Sequence, residues 1–453
     1  MKKIFLLPVT LLLIFSIWGC GTQDTDTSTS NPLATTSIGS SLGPFTDLGD
    51  LEGPTGPNWL FTQARAINNN GTIVGKSKSV YRAFSWDQGT EVMTDLGRHA
   101  GYYDDFYGGA GSSPFAYSHA VDINNQGTLG KVIVNSTTEA TSGSEFTEKR
   151  AFIYDLDTST ATDIAPFVNG TMYNYSEAVA INDNGYVLVN VGDSNTTTLA
   201  YYWDGSSTVF SATAGGNVPR LEAAARLQNA TTAKAVAIND NNQMVINSGG
   251  NAIYYDPALD FGQTLNQIFG DSGSEAVDIN NSSQVVGTSG SLGFFWEAGS
   301  MIRIDSLGGA NCTPKDINNA SVVVGDADNA DGDTHAFMWK LVNGKPVTYD
   351  LGTLGGANSH AVAINDAGLI VGYSDTGETY VAGSSTYTVQ HAFIWRNGVM
   401  YDLGVHNDFY NYPFIDSYPY SEIVDLNDSG AVAGNSYSPN ANYRGFYFDP
   451  VYP

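Results

Sequence analysis

Residues 350–404 read DLGTLGGANSHAVAINDAGLIVGYSDTGETYVAGSSTYTVQHAFIWRNGVMYDLG and hold one complete copy of a repeat. Partial copies fill the chain from Asp47 to Phe448. The first marker of the repeat, an Ile-Asn or Leu-Asn step, recurs at Ile67, Ile123, Ile181, Ile238, Ile279, Ile317, Ile364 and Leu426. The second marker, an aromatic run, recurs at 83–86, 151–154, 200–203, 252–255, 293–296, 336–339, 392–395 and 445–448. Two markers repeated in register indicate eight copies of one supersecondary unit.

Each unit predicts four short antiparallel strands. The Ile-Asn step and the apolar run after it form a hairpin, because Asn and Asp side chains bond the amides of a tight turn and a following Gly, such as Gly368, supplies the left-handed residue. The aromatic run is the third strand, and a DLG element, as in 349–352, is the fourth. Four-stranded units of roughly 40–50 residues in series are typical of a β-propeller. The predicted fold class is therefore all-β.

The two ends of the repeat region predict a closed ring. The last unit stops at Phe448 without a DLG element, whereas residues 44–48 contain one that precedes the first unit. We therefore expect this N-terminal strand to complete the last blade, joining the ends of a single propeller over 43–453. Eight blades are predicted. Seven is the alternative, if the degenerate fourth unit around 238–268 is not a true blade.

The N-terminus predicts an exported protein. Lys2 and Lys3 precede an apolar core, and residues 1–20 end at Cys20. This segment resembles a bacterial lipoprotein signal, which implies that Cys20 is the lipidated N-terminus of the mature chain. An ordinary secretory signal or a short membrane anchor is the alternative. Residues 21–42 are rich in Ser and Thr and poor in large apolar groups, which is typical of a flexible tether.

Charge and cysteine usage exclude some partners. A formal net charge of −27 disfavours nucleic acid and anionic headgroups, so no nucleic acid partner is expected. Beyond Cys20 the chain has a single thiol, Cys312, which we expect to be a small buried hydrophobic residue rather than a nucleophile.

The repeat can now be compared with a known pattern. DLGTLGG, Ser-x-Ala-x-Ala-Ile-Asn, Gly-x-Val-Val-Gly and His-Ala-Phe-x-Trp together resemble the HAF-repeat extracellular proteins of bacteria. Residues 350–404 match this pattern closely and 304–352 match it well, while other units keep parts of it. The resemblance implies an exported repeat protein and brings no catalytic residues with it.

Loop lengths predict where ligands bind. The turns between the first and second strands are short, whereas long insertions fall between second and third strands or between units. Elaborated loops on a rigid scaffold are where binding residues concentrate. Four of the connections between units are rich in aromatic and acidic residues and should be neighbours around the ring. The candidate ligand-binding residues are Trp59, Tyr102, Tyr103, Phe106, Tyr107, Tyr173, Tyr175, Phe409, Tyr410 and Tyr412. The alternative is that these rings pack as a lid.

Three further sets of residues are candidates for chemistry. An Asp precedes the Ile or Leu of the first strand in four units, where it lines a channel or satisfies backbone groups near its turn: Asp122, Asp278, Asp316 and Asp425. A run with alternating carboxylates resembles a calcium loop, one residue too long: Asp326, Asp328, Asp331 and Asp333. Histidines at repeat positions are expected to be structural: His119, His335, His360 and His391.

These observations leave three functions open. The first is a lipid-anchored envelope or cell-surface module that binds a protein or glycan through the aromatic and acidic loops. The second is a structural or assembly protein of the envelope. The third is a polysaccharide hydrolase or lyase that uses two of Asp104, Asp105, Asp408 and Asp416. Apart from a GSSLG run at 39–43, in the Ser-rich segment that precedes the repeats, the sequence contains no GxSxG, HExxH, CxxC or P-loop pattern, which places the enzyme last.

Overall fold

The computed structural model describes residues 35–36, 45–51, 62–77, 82–97, 116–138, 149–164, 167–168, 171–172, 175–192, 198–205, 232–265, 273–382, 384–404, 420–438 and 442–450. Throughout these ranges every regular element is a β-strand, so the all-β prediction is confirmed. Over the same ranges, no helix offers a span long and apolar enough to cross a membrane. The strands form successive antiparallel sheets, mostly of four, in a propeller-like arrangement.

The strands fall into eight consecutive units. Two strands precede them: β1 (Thr35–Thr36) and β2 (Thr46–Asp47). Units 1 and 2 consist of β3 (Thr62–Ile67), β4 (Thr72–Ser77), β5 (Arg82–Asp87), β6 (Val92–Asp95), β7 (Ala116–Ile123), β8 (Lys131–Thr138), β9 (Lys149–Asp155) and β10 (Thr160–Asp163). A two-stranded hairpin follows, made of β11 (Phe167–Val168) and β12 (Thr171–Met172). Unit 3 has three described strands: β13 (Tyr175–Ile181), β14 (Val187–Gly192) and β15 (Thr198–Trp203).

The second half of the chain continues the series. Units 4 and 5 consist of β16 (Ala233–Ile238), β17 (Met244–Ser248), β18 (Asn251–Asp256), β19 (Phe261–Leu265), β20 (Ser274–Ile279), β21 (Val285–Ser289), β22 (Leu292–Glu297) and β23 (Ser300–Ile304). Units 6 and 7 consist of β24 (Gly308–Ile317), β25 (Val323–Asn329), β26 (Thr334–Val342), β27 (Lys345–Asp350), β28 (Ser359–Ile364), β29 (Ile370–Ala382), β30 (Ser385–Arg396) and β31 (Val399–Gly404). Unit 8 consists of β32 (Tyr420–Leu426), β33 (Val432–Ser438) and β34 (Asn442–Phe448). The fourth unit, doubtful from sequence, is a complete four-stranded sheet.

The hairpin between the first two strands forms for the predicted reason. In unit 7 the Asn365 side chain accepts a hydrogen bond from the Leu369 amide at 3.0 Å, and Gly368 has a φ of 78°. The left-handed conformation also occurs at the three units that lack this glycine, where Asn242, Ser283 and Ser321 have φ values of 62–63°. The turn geometry is therefore kept even where a residue with a Cβ adopts the left-handed conformation at a steric cost.

A β-bulge interrupts the first strand of every unit just before its final Ile or Leu. In unit 1 the pairing shifts between Ala64 and Ala66, which leaves Arg65 outside the ladder. A bulge bends the strand and re-aims a side chain. Arg65 is consequently exposed although its neighbours Ala64 and Ala66 are buried.

The motif residues of one unit are bonded to the next unit. The Ser359 hydroxyl of unit 7 accepts a hydrogen bond from the Ala336 amide of the HAF run in unit 6 at 2.9 Å. The same hydroxyl donates to the Gly352 carbonyl of the DLG element at 2.6 Å. Ser118, Ser176, Ser274 and Ser421 bond the corresponding Ala amides in other units. The repeat motifs therefore join neighbouring units.

The hydrophobic core is divided among the junctions between units. Each of eight clusters of buried side chains combines residues from two consecutive units. The eighth junction joins the last unit to the first, where Phe84 and Trp86 pack with Ala433 and Tyr447. The Trp86 and Tyr447 ring centroids are 5.5 Å apart. Units 1 and 8 thus bury apolar surface against each other, as neighbours in the series do.

The predicted pairing of the N-terminal strand with the last strand is confirmed. In β2, Thr46 pairs with Tyr447 and Asp47 pairs with Phe446, in antiparallel register with β34. Phe45 packs on the Phe446 ring, with centroids 4.5 Å apart. Unit 8 therefore acquires its fourth strand from the start of the repeat region.

Two of the long insertions expected between second and third strands, at 326–334 and 373–390, are largely paired strand rather than open loop. β25 continues to Asn329 and β26 begins at Thr334, while β29 continues to Ala382 and β30 begins at Ser385. Alternating polar and β-branched or aromatic residues, as in 378–389, favour strand pairing over an open loop. Of the predicted tether 21–42, the structure describes β1 alone, which pairs in parallel with Val399–Met400.

Candidate functional site

A closed cycle of asparagines joins the eight units. The Asn that follows the first strand of each unit is buried and donates through Nδ2 to the backbone carbonyl of the equivalent Asn in the next unit, at 2.8–3.2 Å. We call this set the Asn ring: Asn68, Asn124, Asn182, Asn239, Asn280, Asn318, Asn365 and Asn427. The last bond runs from Asn427 to Asn68, 359 residues away, at 3.0 Å. The cycle returns to its start.

The Asn ring is a structural device rather than a binding site. The Oδ1 atom of every ring member accepts a hydrogen bond from a backbone amide of its own hairpin. Both ends of each buried side-chain amide are thus used within the fold, as buried polar groups require. The Ile-Asn step recurs because its Asn bonds both its own hairpin and the next unit.

A second, mostly exposed ring lies at a polar cavity of about 480 Å³ at the same end of the first strands, and all of its members except Asn69 line that cavity. Its members, the outer ring, are Asn69, Asn125, Asp183, Asp240, Asn281, Asn319, Asp366 and Asp428. Each of the four carboxylates accepts a hydrogen bond from the side-chain amide of a neighbouring Asn, at 2.8–3.1 Å. The carboxylates are therefore engaged with the protein.

The four Asp residues before the final Ile or Leu of the first strand bond the backbone, one of the two predicted roles. Asp425 accepts from its own neighbour Leu426 and from Ile67 of unit 1, at 2.8 and 2.9 Å. Asp122, Asp278 and Asp316 likewise accept from the Ile amide of the following unit. Burial raises the pKa of Asp122 to about 6 and of Asp425 to about 7. Burial and the neighbouring Asp278 carboxylate raise the pKa of Asp316 well above its usual range, so one proton is held between them.

The opposite end of the first strands carries a different cavity, which we call the mouth pocket. It has a volume of about 350 Å³ and is lined from units 1 to 4. Its charged and titratable lining residues are Arg65, His119, Glu177 and Lys234. Small apolar residues between them include Ala120, Val121, Ala178, Val179 and Ala235. The walls are fixed by Asn135 and Asn190, whose side chains bond the backbones of Ala178 and Ala235.

The mouth pocket is locally cationic in an acidic protein. Glu177 is neutralised by an ion pair with Lys149 and accepts a hydrogen bond from the Tyr175 hydroxyl at 2.7 Å. Arg65 and Lys234 are exposed, and no ion pair links either one to another described residue. Burial, followed by the charges of Lys149, Lys76 and Arg65, lowers the pKa of His119 to about 4, whereas Glu177 acts in the opposite direction. His119 is therefore neutral at pH 7.

Three of the four predicted structural histidines bond carboxylates. His335 and His391, which open the HAF runs, lie 2.9 Å through Nδ1 from Asp350 and Asp402 of their own DLG elements. His360 lies 3.0 Å from Asp326. His119 differs, because no hydrogen bond joins its imidazole to another described residue and it lines the mouth pocket.

Sequence reasoning missed that arginine replaces the HAF histidine in three units, at Arg82, Arg150 and Arg444. Arg82 pairs with Asp95, and Arg444 pairs with Asp47, in the positions of the His–Asp pairs of units 6 and 7. An RAF or RGF run followed by DLG is the signal that identifies these pairs. The DLG Asp also accepts from the amide of its following Gly, as Asp350 does from Gly352 at 2.7 Å.

Two carboxylates of the predicted calcium run, Asp326 and Asp328, bond other side chains of the protein. Asp326 bonds Lys315 and His360, while Asp328 bonds Asn311 and Thr334. In the described part of the chain, no group of three or more His, Cys, Asp or Glu side chains is arranged to hold a metal ion. Asp331 and Asp333 instead donate their amides to the Asn329 side chain. The calcium site stays a prediction.

Cys312 is buried with 1 % of its surface exposed, as predicted. Burial raises the pKa of its thiol to about 12, which keeps it protonated at neutral pH. It packs in the core between units 5 and 6, with Phe337 and Trp339.

Most candidate ligand-binding residues lie outside the described residues. These are Trp59, Tyr102, Tyr103, Phe106, Tyr107, Tyr173, Phe409, Tyr410 and Tyr412, together with Cys20 and the acid–base candidates Asp104, Asp105, Asp408 and Asp416. Tyr175 is described, and the structure connects it to the mouth pocket through Glu177. The Lys149 ammonium lies 5.8 Å from the centre of its ring.

No family model matches the chain, and no curated protein matches it. Solved structures similar to it include one described as "Streptogramin B lyase structure", with 9% identity, a TM-score of 0.38, and coverage of 89% of this chain and 97% of that chain. Another is "Structure of U3-55K", with 10% identity, a TM-score of 0.41, and coverage of 91% and 100%. A third, from "Crystal Structure of Mitotic Checkpoint Complex", has 11% identity, a TM-score of 0.37, and coverage of 98% and 99%. These values are too low to transfer an activity.

Proposed function

We propose that the chain forms a single β-propeller of eight blades, with Thr46–Asp47 as the last strand of the eighth. The support is the Asn ring, whose eight hydrogen bonds return from Asn427 to Asn68. A cyclic order of this kind gives every unit two neighbours. Eight apolar clusters, one for each junction, agree with the same cycle.

We also propose that the protein is exported and held at the bacterial cell envelope, in the outer membrane on its periplasmic or outer side, by a lipid on Cys20. The tether at 21–42 would separate the propeller from the bilayer. Support comes from the signal-like composition of 1–20 and from the resemblance to HAF-repeat proteins. Replacing Cys20 by Ala is expected to abolish incorporation of a labelled fatty acid, whereas Cys312→Ala leaves it unchanged.

The proposed activity is binding of a glycan or protein at the end of the propeller opposite the Asn ring. The observation that carries this proposal is the contrast between the two ends. Side-chain amides at the ring end bond within the protein, whereas the mouth pocket is open and holds two exposed cations, Arg65 and Lys234. Long connections rich in Tyr, Phe and Asp begin at this same end, and Tyr175 lies at its edge. Aromatic rings of this kind give contact area at a low entropic cost.

The test is binding of the full-length protein, in mild detergent, to arrays of envelope glycans and envelope proteins. A quadruple variant that replaces Tyr103, Tyr107, Tyr410 and Tyr412 by Ala is expected to lose binding while its melting temperature stays nearly unchanged. The matched control replaces Tyr380 and Tyr387, on the hairpin of unit 7, by Ala and keeps binding. Binding that survives in the quadruple variant would reject the proposal and favour a structural role for the loops.

A further inference from the structure

The charge of the mouth pocket is opposite to that of the molecule as a whole. The chain carries 46 acidic and 19 basic residues, yet two of those basic residues, Arg65 and Lys234, line this pocket, and the charges of Lys76 and Lys149 act on His119 in its wall. Lys149 is paired with Glu177. Arg65 and Lys234 are exposed at the pocket, and neither forms an ion pair with another described residue, although the charge of Arg65 acts on the Glu422 carboxylate of unit 8. A cleft lined by one sign of charge raises the local concentration of ions of the opposite sign. The pocket is thus arranged for an anion.

The shape of the pocket limits what that anion is. A volume of about 350 Å³ is at the lower end of small-molecule sites, which run from roughly 300 to 1,000 Å³. Its lining alternates cationic groups with the small apolar surfaces of Ala120, Val121 and Val179. A pyranose ring that bears a carboxylate offers the complementary pattern, an apolar ring face beside one negative group.

We propose that the mouth pocket is a binding site for a carboxylate-bearing sugar, with Arg65 and Lys234 as the groups that recognise the carboxylate. This inference rests on the proposed binding function and names its ligand class. Arg65 is available because the bulge of β3 excludes it from the ladder. Asn135 and Asn190 hold the strands that carry Glu177 and Lys234 in register, so the pocket is formed before the ligand arrives.

His119 supplies an independent signature of anion binding. Burial lowers the pKa of its imidazole most, the charges of Lys149, Lys76 and Arg65 lower it further, and the charge of Glu177 raises it. A carboxylate placed among these cations offsets their charge and moves the His119 pKa upward. The shift is measured by nuclear magnetic resonance from the histidine ring protons, with and without ligand.

The decisive experiment is calorimetric titration of the full-length protein in mild detergent with galacturonate and with galactose, which differ at one carbon. Galacturonate is expected to bind and galactose is not. Arg65→Gln and Lys234→Gln each weaken galacturonate binding by about tenfold or more, since each removes a charged hydrogen-bond donor. Lys345→Gln, at an exposed lysine of unit 6, is the control and binds as the unchanged protein does.

Several results would overturn the assignment. Equal affinity for galacturonate and galactose would show that the protein does not recognise the carboxylate. Unchanged galacturonate affinity in both Gln variants would show that the sugar does not bind in the mouth pocket. If triglutamate binds more tightly than galacturonate, the ligand class is an acidic peptide and not a sugar. If envelope glycans or proteins bind and galacturonate does not, the assignment of the mouth pocket to a carboxylate-bearing sugar fails and the proposed binding function stands. If neither the arrays nor galacturonate bind, the pocket assignment and the proposed binding function both fail.

Discussion

The two ends of the first strands use the same repeat for different purposes. At the end with the Asn ring, an Asn recurs in all eight units, and each Asn side chain makes hydrogen bonds to its own unit and to the next unit. At the mouth pocket, the equivalent positions of successive units hold His119, Glu177 and Lys234, no two alike. Uniformity therefore identifies the scaffold in this molecule, and variation identifies the candidate site.

The cleanest copy of the repeat illustrates this difference. Residues 350–404 carry every motif, and each motif residue has a structural role. Asn365 belongs to the Asn ring, His391 bonds the Asp402 carboxylate, and Ser359 bonds the Ala336 amide of unit 6. Units 1 to 4, which keep less of the pattern, provide the pocket and its two exposed cations, Arg65 and Lys234. The best-preserved unit is thus the least informative about the ligand.

The largest expected effect comes from breaking the Asn ring. Asn68→Ala removes the donor to Asn124 and Leu129 and the acceptor of the Asn70 and Thr72 amides. Because buried partners lose their hydrogen bonds, the free energy of unfolding should fall by about 3 kcal/mol or more. Denaturant unfolding measures this loss.

The matched control for that variant is its neighbour in the outer ring. Asn69 is exposed, so Asn69→Ala should cost no more than about 1 kcal/mol. Equal losses in the two variants would contradict the distinction between the buried ring and its exposed surround.

A second, smaller effect concerns pH. The pKa of Asp425 is raised to about 7 in the folded protein, above its unfolded value near 3.8, so its stabilising contribution is complete at low pH and is lost as pH rises toward 7. Between pH 5 and pH 8 the unchanged protein should lose roughly 1–2 kcal/mol through this group, after allowance for its partial exposure. Asp425→Asn cannot ionise and should flatten that part of the curve of unfolding free energy against pH.

Asp122 adds a loss of the same sign, because its pKa is raised to about 6. The variant Asp428→Asn, at an exposed carboxylate of the outer ring, should leave the curve unchanged and serves as the control. A pH profile that is identical in Asp425→Asn and the unchanged protein would show that Asp425 is ionised throughout.

The smallest predicted effect lies in a single turn. Gly368 has a φ of 78° with no atom within 4 Å of an added Cβ, so Gly368→Ala meets backbone strain and no clash. The expected loss is about 1 kcal/mol, measured by thermal unfolding. Ala367→Ser, one residue earlier, should change stability by less than about 0.5 kcal/mol. A loss of several kcal/mol at Gly368 would mean that this end of the fold depends on more than the conformation of the turn.

Much of the fold follows from local sequence. Turn chemistry at 365–368 and the alternating strands beside it determine a hairpin whatever surrounds them. The pairing of residues 44–48 with the last strand could also be predicted from sequence, because a DLG element precedes the first unit and none follows the last one. The form of 373–390 did not follow, since insertion length alone does not distinguish an open loop from a paired ribbon.

The mouth pocket could not be predicted from sequence. Its cations, Arg65 and Lys234, lie in units 1 and 4, and each alone is an ordinary exposed residue. Their convergence depends on the bulge in β3 and on the order of the units in space. Pairs such as Arg82–Asp95 were missed for another reason, because the motif is defined by His and the physical requirement is a donor opposite the DLG carboxylate.

Closure of the Asn ring is the central claim, and amide hydrogen exchange tests it most directly. The amides of Thr72, Gln243, Leu369 and Ala431 all bond to ring asparagines, in units 1, 4, 7 and 8. In a closed ring the first and last units are held on both sides, so all four amides should exchange at similar slow rates, through global unfolding. In an open array the terminal units fray first. Fast exchange at Thr72 and Ala431, with Gln243 and Leu369 still protected, would contradict closure.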